Sequence, residues 1–256
     1  MGTATFWARV HGRLMRESAR RFFRHPFVVN TPTPVISFTF DDFPRSALFN
    51  GGAILKKYGA AGTYYAAFGL MGAESPTGRI FVPGDLKLLL EQGHELGCHT
   101  FGHCNAWETS PNAFESSVLQ NQQALRDLIP GASFRTLSYP ISVPRPRTKQ
   151  KIARHFACCR CGGQTFNVGE VDSTYLSAYF LEKTRSDPSH VKKVIDENRA
   201  AKGWLILATH DVEENPTQFG CTPGFFEEVV CYAAASGAKL LPVIEAWEAL
   251  KASAST

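Results

Sequence analysis

The sequence predicts one α/β domain on a parallel sheet, either open or closed into a barrel. Three observations carry this expectation. From Val35 onward, short apolar runs alternate with longer helical patterns, the signature of repeated β-then-α units. At 256 residues the chain suits one large domain better than two. Hydrophobic residues make up 44% and charged residues 20%, enough for a sizeable core in a globular chain.

The elements follow in order. Residues 3–25 form an amphipathic helix: Phe6, Val10 and Leu14 recur at four-residue steps, flanked by Trp7, Met15, Phe22 and Phe23. Pro26, Pro32 and Pro34 then mark an extended linker, so 1–34 reads as an arm and 35–256 as the main domain. Val35–Phe40 is a strand, 46–58 a helix closed by Gly59, and 63–68 strand-like. Residues 83–92 read as a helix ended by Gly93, and 94–99 as a strand. Pro111–Leu128 is the longest helical pattern, stopped by Pro130-Gly131; a strand at 134–139 and a helix at 145–155 follow. Residues 156–180 carry no clear period. A helix at 188–202, the strongly apolar strand Trp204–Thr209, a helix at 223–236, a strand at 239–243 and a helix at 245–251 complete the chain.

Charge separates the arm from the body. Residues 1–25 hold six arginines against one acid, Glu17, whereas the whole chain sums to +4, so the body is nearly neutral. A nucleic-acid role needs a basic body, and none is expected. Arginine recurs too often in the arm to leave the continuous apolar core of a secretory signal, so a cytoplasmic protein is expected. The seven cysteines, an odd number, then read as reduced thiols. The arm's arginine face and apolar stripe also fit an interfacial helix on an anionic membrane, which would make the protein peripheral on the inner face. Packing of the helix on its own domain is the equal alternative.

Chemistry concentrates where strands end. The first strand runs into Asp41-Asp42, adjacent carboxylates whose repulsion a bound cation relieves. After the third strand come His99 and His103, spaced to reach one ion. An Asp/His/His set leaves positions open for water and substrate, the arrangement of a catalytic metal. Strand Trp204–Thr209 delivers His210 to the same rim, a residue type suited to general acid catalysis. His94 lies off this spacing and is assigned a structural role, and Cys98 and Cys104 are expected to point away from the ligands.

Thr39-Phe40-Asp41-Asp42, His99-Thr100-x-x-His103 and Leu207-Ala208-Thr209-His210-Asp211 resemble, in order, the first, second and fifth motifs of the polysaccharide deacetylases, carbohydrate esterase family 4 with its NodB-like domain. The resemblance covers roughly residues 35–245. It implies a distorted (β/α) barrel with seven or eight strands, with the basic amphipathic helix added at the N-terminus. It implies Asp41 as general base, His210 as general acid, Asp42, His99 and His103 as ligands of Zn²⁺ or another divalent metal, and Leu207 as lining for the acetyl methyl group. The third motif departs from the pattern. Ser138-Tyr139-Pro140-Ile141 aligns on Pro140, so Ser138 stands where the family has an arginine and Ile141 where it has an aromatic. Tyr139, Pro140 and Ile141 are expected at the substrate pocket, with the Ile141 N–H free to bind an oxyanion. Arg160 and Arg135 are the candidates to replace the arginine that orients the base. The fourth motif is absent; Asp172 and Lys183 stand nearest to it. This variant pattern resembles bacterial exopolysaccharide-modifying deacetylases.

The implied activity is metal-dependent removal of N-acetyl groups from N-acetylglucosamine-type sugars of a polysaccharide or its precursor. A hydrolase of another small C–N bond, amide or ureide, and a carbohydrate-binding pseudoenzyme are the alternatives.

Overall fold

A computed structural model describes residues 3–185 and 187–254, with side chains from 10 to 253. Phe6 and Trp7 of the expected stripe lie outside the described side chains. The chain opens with α1 (Thr3–Arg21) and β1 (Pro26–Val29), then enters β2 (Val35–Phe40). A wide π-helical turn (Ala47–Gly52) leads into α2 (Ala53–Lys57) and β3 (Thr63–Ala66). A small hairpin of β4 (Glu74–Ser75) and β5 (Gly78–Arg79) precedes α3 (Pro83–Glu91), β6 (Glu95–Cys98), α4 (Pro111–Leu128), β7 (Thr136–Ser138) and α5 (Pro146–Ile152). Next come β8 (Cys158–Gly162), β9 (Gly169–Asp172), β10 (Leu176–Phe180), α6 (Pro188–Ala201), β11 (Trp204–Thr209), α7 (Pro223–Ala235), β12 (Lys239–Leu240) and α8 (Val243–Ala254).

Seven parallel strands, in the order β2-β3-β6-β7-β8-β10-β11, form a sheet that closes when β11 pairs with β2 along its whole length. This is the expected distorted barrel. On the other edge of β2, β3 takes Thr39 and Phe40 while the short β12 takes Val35 and Ile36. The count of seven or eight is thus seven closed strands with a two-residue eighth.

Strand alternation decides what lies inside. Ile36, Phe38, Phe40, Tyr64, Cys98, Leu137, Leu205 and Leu207 join the apolar layer beneath the helices. The opposite parity faces the lumen: Val35, Cys158, Leu176, Ala178, Trp204, Ile206 and Ala208 pack on Val243, Trp247 and Leu250 of α8, which plugs one end. Inside the barrel Glu95 Oε2 accepts from Thr63 Oγ1 at 2.8 Å and from the Ile244 N–H at the start of α8 at 2.9 Å, and Thr136 donates to its other oxygen. Gly97 is required there, because a Cβ would stand 2.5 Å from the Tyr65 ring that fills the lumen. His94 is structural, as expected: its Nδ1 accepts the Gly62 N–H at 3.0 Å, and burial lowers its pKa to about 4.

The expected linker is part of the folded body. Pro26–Val29 pairs antiparallel with Gly169–Asp172, and Phe27 packs on Trp247. Lys149, fully buried, donates to the Ala19 carbonyl at 2.5 Å and to Asp172 Oδ2 at 2.6 Å, tying the end of α1 to α5 and β9. No described helix is long and apolar enough to cross a membrane.

Candidate functional site

Side chains of the lumen-facing parity converge where β2, β6, β8 and β11 end. Asp41 follows Thr39 on the inner face, and its N–H donates to the Thr209 carbonyl at 2.9 Å. Asp42, at φ 61°, turns its carboxylate aside toward the two histidines. Its Oδ1 lies 3.0 Å from His103 Nε2 and 3.5 Å from His99 Nε2. One ligand atom from each of the three residues lies within 4.8 Å of the others.

This set fits a divalent cation. Two ligands at about 2.1 Å from a tetrahedral ion stand roughly 3.4 Å apart, close to the spacings observed. Thr77 Oγ1 donates to Asp42 Oδ2 at 3.0 Å, while Oδ1 is buried without a hydrogen bond. His99 Nδ1 lies 2.9 Å from the Ser138 carbonyl, which only accepts. The Nδ1–H tautomer is therefore fixed and the Nε2 lone pair faces Asp42. His99 is buried, whereas the His103 side chain is 26% exposed, so the site opens to solvent on the His103 side. Burial pushes the His99 pKa down to about 4, which keeps the imidazole neutral, the form that ligation needs. Burial raises the Asp42 carboxyl, but His103 and His99 bring it well below the usual range.

Arg160 on β8 is buried and bonded to Asp41 Oδ1. Its guanidinium is sandwiched, 4.7 Å from the Tyr65 ring centroid and 5.6 Å from that of Phe180. Burial raises the Asp41 carboxyl, and Arg160, His99 and His210 more than offset it, so Asp41 is ionised. Of the two arginines considered, the structure therefore brings Arg160 to Asp41. Arg135 does not reach the site: its inner-face neighbour Thr136 enters the lumen, and Arg135 itself is exposed, 2.5 Å from Glu248 of α8.

His210 stands between Phe180 and Phe219, ring centroids 6.3 and 5.5 Å away, with Nδ1 3.2 Å from the Phe219 carbonyl. Buried Asp211 shapes that loop: it accepts from Thr217 N at 2.7 Å and Thr217 Oγ1 at 2.6 Å. A Cβ on Gly220 would lie 2.3 Å from Asp211 Oδ1.

Ile141 occupies a three-residue turn in which the Ser142 N–H donates to the Pro140 carbonyl at 2.6 Å. At φ 64° this is a γ-turn geometry, costly for a β-branched residue. Among the described residues its N–H has no acceptor, and the residue is 67% exposed. Asp42, Phe43, Thr100, His103 and Ile141 all have positive φ, so backbone strain gathers on this rim.

Three expectations are corrected. Leu207 belongs to the helix-facing layer; the residue that shares His210's inner face is two positions earlier, Ala208. Tyr139 likewise points outward, toward Phe114, because Ser138 and Pro140 take the inner parity. Asp172 is held by Lys149 away from this rim, and Lys183 is exposed. Cys98 faces Asn121 Nδ2 at 3.3 Å in the outer layer and Cys104 faces Ser117, so neither joins the ligands. Sequence reading missed Thr77, the Ser138 and Phe219 carbonyls, and the Tyr65/Phe180 sandwich. Period-two parity on β3 and β10 is the signal that could have found the last.

A family profile described as polysaccharide deacetylase matches residues 28–156, and the chain belongs to that family. No curated protein sequence matches it. Solved structures share the fold. The family 4 acetyl xylan esterase of Clostridium thermocellum, in complex with a cobalt ion, is 19% identical with a TM-score of 0.59, over 84% of this chain and 91% of that one. The peptidoglycan deacetylase PdaC of Bacillus subtilis, as a D285S mutant, is 16% identical with a TM-score of 0.59, over 89% and 96%. A family 4 pseudoenzyme of Bacillus anthracis is 13% identical with a TM-score of 0.58, over 85% and 66%.

Proposed function

We propose that this protein is a metal-dependent deacetylase that removes N-acetyl groups from N-acetylglucosamine-type sugars of a polysaccharide or its precursor. The observation that carries the reading is an ionised carboxylate, Asp41, clamped by buried Arg160 beside an open Asp42/His99/His103 set. Since a pseudoenzyme shares the fold, these side chains and not the barrel support activity. Burying so many polar groups costs stability wherever they are incompletely paired, a cost that a catalytic role accounts for.

Asp42, His99 and His103 would hold the cation. Zn²⁺, or another divalent metal in its place, would supply Lewis acidity toward the acetyl carbonyl and a nucleophilic water near neutral pH. Asp41, oriented by Arg160, takes the proton of the attacking water. The free Ile141 N–H donates to the carbonyl oxygen as it gains charge. With Nδ1–H engaged by the Phe219 carbonyl, His210 carries its mobile proton on Nε2 and passes it to the leaving amine nitrogen. Acetate and a free amino sugar result.

Acetate release from N-acetylglucosamine oligomers is expected. It should stop with chelator, return with Zn²⁺ or Co²⁺, and be missing in Asp42→Ala protein that no longer retains metal. Acetate from acetylated xylan alone would make this an esterase. Ammonia or formate from small ureides or formamides would make it a hydrolase of another C–N bond. Saturable glycan binding without hydrolysis in metal-loaded protein would make it a pseudoenzyme.

The arm supports a reading of location. Arg13, Arg16 and Arg20 share one exposed face of α1, and Leu14 and, just past its end, Phe22 are 63% and 57% exposed. Such a surface matches anionic lipid, each basic group contributing about 1 kcal/mol. It would seat a cytoplasmic enzyme on the inner leaflet, next to lipid-linked glycan. Co-sedimentation with phosphatidylglycerol vesicles should be salt-sensitive and fall in Leu14→Ser/Phe22→Ser protein. No pelleting with vesicles at low salt would reduce α1 to a packing element.

A further inference from the structure

A groove of about 940 Å³ opens beside the rim, within the size range of ligand sites. Phe23, Trp107, Arg145, Arg147, Gln150 and Lys151 line it, and among the described residues no carboxylate does. The groove adjoins the site through a stiff loop. Trp107 lies four residues beyond His103, and the Ala106 N–H donates to the Pro140 carbonyl at 3.3 Å. The Trp107 N–H reaches Ser142 Oγ at 3.1 Å and Asn105 Oδ1 at 3.0 Å, so Trp107 is fixed to the turn that carries Ile141. Arg145 braces the same loop by donating to the Trp107 and Glu108 carbonyls. His11 of α1 stands edge-on to the indole, ring centroids 6.1 Å apart.

The cations differ in availability. Arg145 is spent on the loop and Lys151 pairs with Glu115 at 3.0 Å, though both still contribute positive potential. Arg147 is exposed and has no acidic partner among the described residues. A neutral sugar presents hydroxyl donors and is usually met by carboxylate or carbonyl acceptors. This lining offers mostly donors, which match an anionic acceptor, together with an indole fit for the face of a pyranose.

We propose that this groove is a subsite for an acidic glycan chain, with one sugar on Trp107 and a carboxylate or phosphate of the chain on Arg147. The proposal rests on the deacetylase reading and names its substrate class.

The test uses the metal-loaded full chain. Hyaluronan hexasaccharide, which alternates glucuronate with N-acetylglucosamine, is compared with neutral chitohexaose for acetate release and for quenching of tryptophan fluorescence. Hyaluronan oligomer should show the lower KM and a salt-sensitive quench. Arg147→Glu should raise the hyaluronan-to-chitohexaose KM ratio about tenfold, and Trp107→Phe should remove the quench. Competition by inorganic phosphate but not by free glucuronate would identify the anion as phosphate, and the reverse would identify it as carboxylate. Equal KM values that Arg147→Glu does not change would overturn the subsite while leaving the deacetylase intact. Salt-sensitive quenching dependent on Arg147, with acetate from neither oligomer, would keep the subsite and remove the activity. Arg147-dependent binding to phosphatidylglycerol vesicles with no binding of hyaluronan oligomer would assign the groove to lipid and overturn the proposal.

Discussion

Asp41→Asn is expected to lower acetate release by about 10³-fold, within the range for loss of a general base, while the bound divalent ion is retained. The two effects separate because Asp41 is not among the three converging ligands, and its Oδ1 is engaged by Arg160. Asparagine keeps an oxygen for the guanidinium but not the charge. Arg160, buried between Tyr65 and Phe180, then loses its counter-ion, and breaking a buried pair costs on the order of 3–5 kcal/mol. The retained acceptor places Asn at the low end. Acetate release, metal content and thermal melting of the same preparation check the claim together. Acetate release near the wild-type rate would remove Asp41 as the base.

The largest effect on stability is expected at Lys149→Met. The ammonium sits in a fully buried pocket, bonded to the Ala19 carbonyl at 2.5 Å and Asp172 at 2.6 Å, and 5.7 Å from the Tyr175 ring centroid. Asp172 also accepts from the His25 N–H at 3.1 Å and Thr174 Oγ1 at 2.6 Å, so one residue gathers the arm, β9 and α5. Without Lys149, Asp172 is a buried charge without a cation, at a cost of roughly 3–5 kcal/mol. For a chain of this size that lowers Tm by about 10 °C. The arm should also become sensitive to protease at residues 20–34 before the barrel unfolds. Replacing both partners with apolar residues should restore part of the loss. A Tm within about 1 °C of wild type would show that the lock contributes little.

Much of this organisation is legible along the chain, and the parts that are not have identifiable causes. Trp204–Thr209 and Pro111–Leu128 are readable to the residue because an apolar run and a capped helical period each end abruptly. Residues 156–180 hide three strands. In β8 both faces are buried, one by Cys159 and Cys161 and the other by Cys158 and Arg160, so no polar alternation survives. The short β1 is invisible for another reason: its partner, Gly169–Asp172, lies far along the chain, and Pro26 suggests a linker. Register explains how an arginine still reaches Asp41 although the third motif carries Ser138. Ser138 and Arg160 are paired across β7 and β8, so the guanidinium enters the lumen from the neighbouring strand.

Sequence alone determined the repeated β-then-α order and the grouping of Asp41, Asp42, His99, His103 and His210 at strand ends, because residue type and spacing carry those signals locally. Only tertiary structure decided which neighbours face the lumen. It brought Arg160 and not Arg135 to Asp41, Ala208 and not Leu207 beside His210, and turned Tyr139 outward. The physical reason is the two-residue period of a strand. A shift of one position exchanges the inside of the barrel for the helix layer, and which parity is inside depends on where the sheet closes, a fact held by β2 and β11 together and by neither alone.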